Sequence, residues 1–267
     1  MILPLGLRVV LRVFTGMVLV VIYTPLMLVV INSFNADRTF SWPPDKLTLH
    51  WWQVAAESTG ARSALLTSLQ VAALATLISL VLGTMAALAM RRTRFFGRNV
   101  VSLLIILPIA LPGIVTGIAL NNACRTILGL ELGFITIVVA HATFCIVTVF
   151  NNVQARLQRL GGNFEQASMD LGAGRFTTFR LVTFPMLRSA LLAGALLSFG
   201  LSFDEIVVTT FTAGSQEQTL PIWIFQNLFR PNQAPVVNVV AAVLVLFSAI
   251  PIYLAQKLSA GVADSPR

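Results

Sequence analysis

The 267-residue chain is 57% hydrophobic and only 10% charged, with a mean hydropathy of +0.85, whereas a soluble domain carries about a quarter of its residues as charges. Its apolar runs reach about 18 residues or more, enough to cross roughly 30 Å of hydrocarbon, and lack the short alternating segments of a membrane barrel. A soluble protein and a barrel are thus excluded, and the net charge of +8, mostly arginine in loops, orients a membrane protein rather than binding nucleic acid.

The chain reads as an all-α polytopic membrane protein, one transmembrane domain over 1–267 with six predicted transmembrane helices. These are Val13–Ile31, Ala64–Met90, Val100–Asn121, Gly133–Asn152, Met186–Val208 and Val236–Leu254. The first follows Arg8 and Arg12, is long, and lacks a small-residue cleavage site, so it is expected to be an uncleaved span. The connection over 32–63 carries Trp42, Pro43, Pro44, Trp51 and Trp52, a composition suited to a membrane interface. The third span contains Pro108, Pro112 and the spacing Gly113-Ile-Val-Thr-Gly117. This fits either a helix beside a pathway or an ordinary kinked packing helix. Cys124 and Cys145 lie in apolar surroundings outside any ligand spacing, so no disulfide framework is expected.

Loop charges set the orientation. Arg91, Arg92, Arg94 and Arg98 follow the second span, and Arg156, Arg159, Arg175 and Arg180 follow the fourth. The connection after the third holds Arg125, offset by Glu131. The Arg-rich loops are therefore expected in the cytoplasm, and six spans put both termini there, in agreement with Arg8, Arg12 and Lys257. On the outer side, Thr219–Phe229 reads as a short surface helix. Thr219 is placed to cap it, Pro221 suits its first turn, and Leu220, Trp223, Ile224 and Leu228 share one face.

The segment over 163–185 is a polar module between apolar spans. Asn163 is a good N-cap residue, and Gln166 completes a capping-box pattern. Phe164, Ala167, Ser168 and Leu171 line one face, and Gly172 is expected to end the helix. Ala173 and Gly174 keep the turn small, and Pro185 opens the next span at an allowed early position. So short a helix is marginal alone. It is either a connector lying on the membrane surface or a docking element for another protein.

The stretch Gln166-Ala-Ser-Met-Asp-Leu-Gly-Ala, with Phe184-Pro185 after it, resembles the EAA signature of binding-protein-dependent ABC-importer permeases. Ser33-Phe-Asn, Leu47-Thr-Leu-His-Trp-Trp, Ala140-His-Ala-Thr-Phe and Ser202-Phe-Asp-Glu-Ile-Val-Val-Thr-Thr-Phe are similar to the same family. Together these point to its spermidine/putrescine-type C-subunit branch. The resemblance implies a type I ABC-importer permease fold in a bacterial inner membrane. It implies that Glu165, Gln166, Ala167, Asp170, Leu171, Gly172 and Ala173 form a coupling helix seated on an ATPase. It also implies an ATPase dimer as partner, binding the ATP and magnesium that this chain does not. A second permease, usually of a different sequence, and an extracytoplasmic solute-binding protein complete the assembly. Polyamine is the implied cargo, and no catalytic role falls to this chain. One position departs from the signature: Gln166 stands where a glutamate is expected, with Glu165 one residue earlier and roughly 100° around the helix.

Acids within spans default to functional hypotheses. Asp204 and Glu205 lie near the outer end of the fifth span, where a carboxylate attracts an arriving ammonium. Interfacial solvation or an ion pair within the subunit is the alternative. With Trp223 they are the candidate pathway residues. His141 and Cys145, four residues apart, could hold a metal, but no further soft ligand accompanies them, so no metal site is expected. Neither a GxxxxGK[ST] loop nor a GxSxG or HExxH motif occurs. A self-contained secondary transporter or channel is the competing function. It would favour inverted repeats and midplane charges, which the sequence does not display. An intramembrane enzyme built on His141 and Cys145 is a third.

Overall fold

The computed structural model describes residues 4–38, 42–92, 96–160, 163–230 and 232–247. Every regular element in them is helical, apart from one isolated antiparallel bridge between Asn35 and Leu47. The described residues form two compact units, one drawn from Met1–Arg62 and Trp223–Arg267, the other from Ser63–Ile222. Lys257, Arg94 and the end of the predicted sixth span lie outside the described residues.

In the first unit, α1 (Leu5–Asn32) buries none of its residues against its own chain. A helix apolar on every side needs lipid or another protein around it. The chain then doubles back. The Ala36 amide donates to the Lys46 carbonyl at 2.9 Å, and the Thr48 amide to Phe34 at 2.7 Å. Phe34 stacks on Trp52 of α2 (His50–Glu57) with ring centroids 5.1 Å apart. The distant Ser33-Phe-Asn and Leu47–Trp52 segments therefore fold into one small knot, with Asn35 almost fully buried inside it.

The second unit is built on α3 (Thr59–Arg92), α6 (Phe134–Leu160) and α9 (Phe184–Phe203). Ala87 and Met90 of α3, Val149, Phe150, Val153 and Leu157 of α6, and Leu187 of α9 form a buried apolar cluster. Glycine permits a close approach of α3 to α6. A Cβ at Gly83 would lie 2.9 Å from the Ile146 carbonyl oxygen and 2.9 Å from the Val149 Cβ. Gly83→Val should therefore overpack the α3–α6 seam at a cost of about 1–3 kcal/mol. The check is the melting temperature of the detergent-solubilised protein; an unchanged value would contradict this packing. Hydroxyls reinforce the seams, as where Ser79 Oγ donates to Ala75 at 2.6 Å and approaches the Ala142 carbonyl of α6 at 3.4 Å.

Six unbroken spans are not what the described residues contain. Four helices are long and apolar enough to cross a membrane, and a fifth crossing follows if one bent pair counts as a single span. That pair is α4 (Arg98–Ala110) with α5, which starts at Gly113 and runs through a π turn to Ile127, bent by 106°. The break is at Leu111-Pro112. Proline disfavours a helical backbone at the preceding residue, and here Leu111 is extended at ψ 145°. The predicted sixth span is described only as α12, Ala234–Phe247, shorter than a full crossing. The predicted fifth span also ends early, at Phe203, and the chain resumes as a separate short helix, α10 (Val207–Thr212). Between α6 and α9 lie α7 (Asn163–Asp170) and α8 (Arg175–Thr178). The last, α11 (Leu220–Leu228), lies on the stretch predicted as a surface helix.

Candidate functional site

Two regions carry the sequence-predicted site residues. The first is the elbow between α9 and α10. Asp204 closes α9 with φ −93° and ψ 3°, outside the helical range, so Asp204 and Glu205 are not successive residues of one helix as expected. Their roles differ accordingly. The Glu205 carboxylate accepts the Val208 amide at 2.8 Å, capping the first turn of α10 as acids do at helix starts. Asp204 is exposed.

The second limb of the elbow is held against α5. A Cβ at Gly113 would meet Val207 at 3.4 Å, and one at Gly117 would meet the Phe211 ring at 2.7 Å. The Gly-x-x-x-Gly spacing therefore packs α10 closely, with both glycines turned toward residues also four apart. Asn121 Nδ2 donates to the Phe211 carbonyl, and Thr136 Oγ1 of α6 to that of Thr212 at 2.8 Å.

His141, on α6, is fully buried and contacts both limbs. Its Nδ1 lies 2.8 Å from Ser202 Oγ and its Nε2 2.8 Å from Thr209 Oγ1. One turn along, Cys145 Sγ donates to the Ser198 carbonyl and Ser198 Oγ to the Cys145 carbonyl, both at 3.3 Å. His141 and Cys145 thus spend their polar atoms on helix contacts. Among the described residues no group of three or more His, Cys, Asp or Glu is placed to hold a metal. Ser202, Thr209 and Ser198 were not singled out by sequence, though two of them flank the acids at short range.

Trp223 belongs to the first unit. It is only 5% exposed, and its Nε1 would be 3.0 Å from a Cβ at Gly60. The buried face of α11 comprises Leu220, Ile222, Trp223 and Asn227, whereas Leu228 is exposed. Thr219 does not cap the helix. Its hydroxyl is buried without a partner, and Ser68 Oγ instead accepts the Leu220 amide at 2.8 Å.

The second region is the module over 163–185. Asn163 is the first helical residue of α7 rather than the residue preceding it. Gly172 has φ +86°, the left-handed conformation expected at a helix end. The Ala173 amide reaches the Ser168 carbonyl at 3.1 Å and the Gly172 amide reaches Met169 at 2.9 Å, which is the paired Schellman pattern. Nothing lies within 4 Å of a Cβ built at Gly172 or Gly174. Backbone conformation, not lack of space, selects the glycine at 172, and Gly174 is under no comparable demand.

The faces of α7 separate cleanly. Thr183 Oγ1 donates to Glu165 at 2.7 Å, and the Ser168 and Thr178 hydroxyls are 3.0 Å apart. Glu165 and Ser168 therefore face the helical return of the module, which separates Ser168 from the Phe164, Ala167 and Leu171 face it was expected to share. Phe164, Gln166, Ala167, Met169 and Asp170 are exposed, as are Leu171 at 89% and Phe176 at 76%. Glu165 is turned to its own subunit, and Gln166 is exposed. The return passes through a π turn, Phe179–Thr183, just before Pro185. Proline supplies no amide for the carbonyl four residues back, and π turns absorb such breaks. Two arginines tie neighbouring helices together: Arg91 donates to the Leu157 carbonyl in the last turn of α6 at 3.1 Å, and Arg156 donates to the Met186 carbonyl of α9 at 3.0 Å.

Residues 79–263 match the family described as binding-protein-dependent transport system inner membrane component. The chain belongs to that family. This permease is 31% identical over 244 residues to the spermidine/putrescine transport system permease protein PotC of Haemophilus influenzae, covering 89% of this chain and 91% of that one. It is 33% identical over 230 residues to the putrescine transport system permease protein PotI of Escherichia coli, covering 84% and 81%. The permease shares its fold with a bacterial ABC transporter involved in the import of the acidic polysaccharide alginate. There the TM-score is 0.71 and the identity 16%, over 98% of this chain and 99% of that chain. The chain is thus an ABC-importer permease of the spermidine/putrescine branch, a non-catalytic transport subunit.

Proposed function

We propose that this permease carries polyamines across a bacterial inner membrane, as one transmembrane domain in a complex driven by a separate ATPase dimer. The observation that carries this reading is the near full-length likeness to two permeases whose names specify spermidine or putrescine. A solute-binding protein delivers the cation to the outer face, and a second permease of different sequence completes the pathway. The chain's own part divides between its two regions. Asp204 offers an exposed carboxylate at the elbow, and Glu205 holds the elbow's second limb by its cap. A carboxylate there raises the local concentration of a polycation.

The module over 163–185 is the coupling element. Its outward face combines apolar Phe164, Met169, Leu171 and Phe176 with Gln166 and Asp170. Apolar side chains outside the spans are suited to a partner's cleft. With Glu165 bonded to Thr183, the contact made by the signature glutamate falls to Gln166, as a hydrogen bond without charge. Both termini and the Arg-rich loops lie in the cytoplasm.

The test is reconstitution of the full complex in liposomes with radiolabelled spermidine and putrescine. Uptake is expected only with ATP, ATPase subunits, both permeases and binding protein present. Uptake by this chain alone, without ATP, would establish the secondary-transporter reading. ATP-driven uptake of a different solute would retain the importer and remove polyamine as its cargo.

A further inference from the structure

We propose that His141 is the positioning residue for the acidic elbow: by hydrogen-bonding both limbs, it fixes where Asp204 meets the cation. This rests on the reading of Asp204 as a pathway carboxylate. The elbow needs an external reference, because three residues in non-helical or boundary conformations separate α9 from α10, leaving their mutual angle undetermined by the helical ladder. Ser202 is in the last turn of α9 and Thr209 in the first turn of α10, and His141 of α6 lies 2.8 Å from each hydroxyl.

Proton placement follows from the third bond of the network. Thr209 Oγ1 donates its single proton to the Glu205 carbonyl at 2.9 Å. It must then accept from His141 Nε2–H, which leaves Nδ1 to accept the Ser202 hydroxyl. The chain of donors runs Ser202 to His141 to Thr209 to Glu205 and ends on the elbow backbone, one residue from Asp204. Each member has one role, so the ring cannot rotate without leaving a buried group unpaired.

Neighbouring contacts hold each limb separately and leave this task to the histidine. The α6–α9 seam has the reciprocal Ser198–Cys145 bonds. The α10 limb has the close packing on Gly113 and Gly117. Among the described residues, His141 is the side chain that hydrogen-bonds both limbs. It also joins two family-like segments, Ala140–Phe144 and Ser202–Phe211, which sequence alone leaves unconnected.

The experiment is a double-mutant cycle in the reconstituted full complex with radiolabelled spermidine. His141→Gln is expected to raise the uptake KM about tenfold when Asp204 is present, and by less than about twofold in an Asp204→Asn background. An equal rise in both backgrounds overturns the positioning role and leaves the pathway reading standing. No effect of Asp204→Asn alone overturns the pathway reading, and this inference with it. Thr209→Val, nearly isosteric, removes the acceptor without touching the histidine, guarding against misfolding of His141→Gln. It should raise KM by about the same factor, with Thr209→Ser returning it to within about twofold of the unaltered protein. An unchanged KM in assembled Thr209→Val overturns the proposal.

Discussion

Gly172→Asp is expected to leave membrane insertion and ATP hydrolysis intact while lowering uptake by about tenfold or more. Gly172 holds φ +86° at the end of an eight-residue helix. The left-handed conformation costs an L-residue about 1–2 kcal/mol, with Asn and Asp less penalised than β-branched side chains. Aspartate adds a negative charge where the helix already presents its negative end, at about 0.3–1 kcal/mol more. A helix this short has little propensity of its own to resist such a change. The turn opens, the apolar face over Phe164 and Leu171 loses its geometry, and ATP-driven motion no longer reaches the spans. Because no atom crowds the position, the ranking follows backbone preference rather than volume. Gly172→Asn should retain the most activity, Gly172→Asp less, and Gly172→Val least. Uptake per ATP hydrolysed in proteoliposomes measures it, and normal coupling in Gly172→Val would refute the role.

Asp204→Asn is the second large effect, a loss of about ten- to a hundredfold in spermidine kcat/KM. One hydrogen bond to a charged group contributes about 1.5–3 kcal/mol, and each 1.4 kcal/mol is about a factor of ten. The same substitution should not destabilise the fold. Asp204 sits exposed at the C-terminal end of α9, where a carboxylate opposes the helix dipole and its removal slightly favours the helix. Function and stability therefore move in opposite directions, which a purely structural acid would not produce. Added salt should shrink the difference between the two proteins, since screening weakens an exposed charge. Equal kcat/KM for both proteins at low salt would count against any pathway role.

Much of this arrangement is legible from local chemistry. The glycine-ended helix at Asn163–Asp170, the close-packing spacing at Gly113 and Gly117, and the short helix at Leu220–Leu228 are all readable from neighbouring residues. The misread elements fail for definable reasons. Hydropathy counts apolar residues without seeing backbone direction, so it gives neither the 106° bend at Leu111-Pro112, where the prolines suggested only a kink, nor the break at Asp204–Ile206. Capping preference named Thr219, but Ser68, 152 residues away, takes the amide. Helical periodicity placed Ser168 on one face with Phe164, Ala167 and Leu171, whereas its hydroxyl turns to Thr178 while those three stay exposed.

By itself the sequence determined the membrane class and the turn at Gly172, because each follows from composition or from residues a few positions apart. The family resemblance added the importer permease. Only the tertiary structure decided that Glu165 faces Thr183 while Gln166 faces outward, that Glu205 caps a helix while Asp204 remains exposed, and that Trp223 is buried. Those outcomes depend on partners distant along the chain. His141 reaches Ser202 across 61 residues and Thr209 across 68, and buried polar groups settle wherever folding brings a matching donor or acceptor within reach.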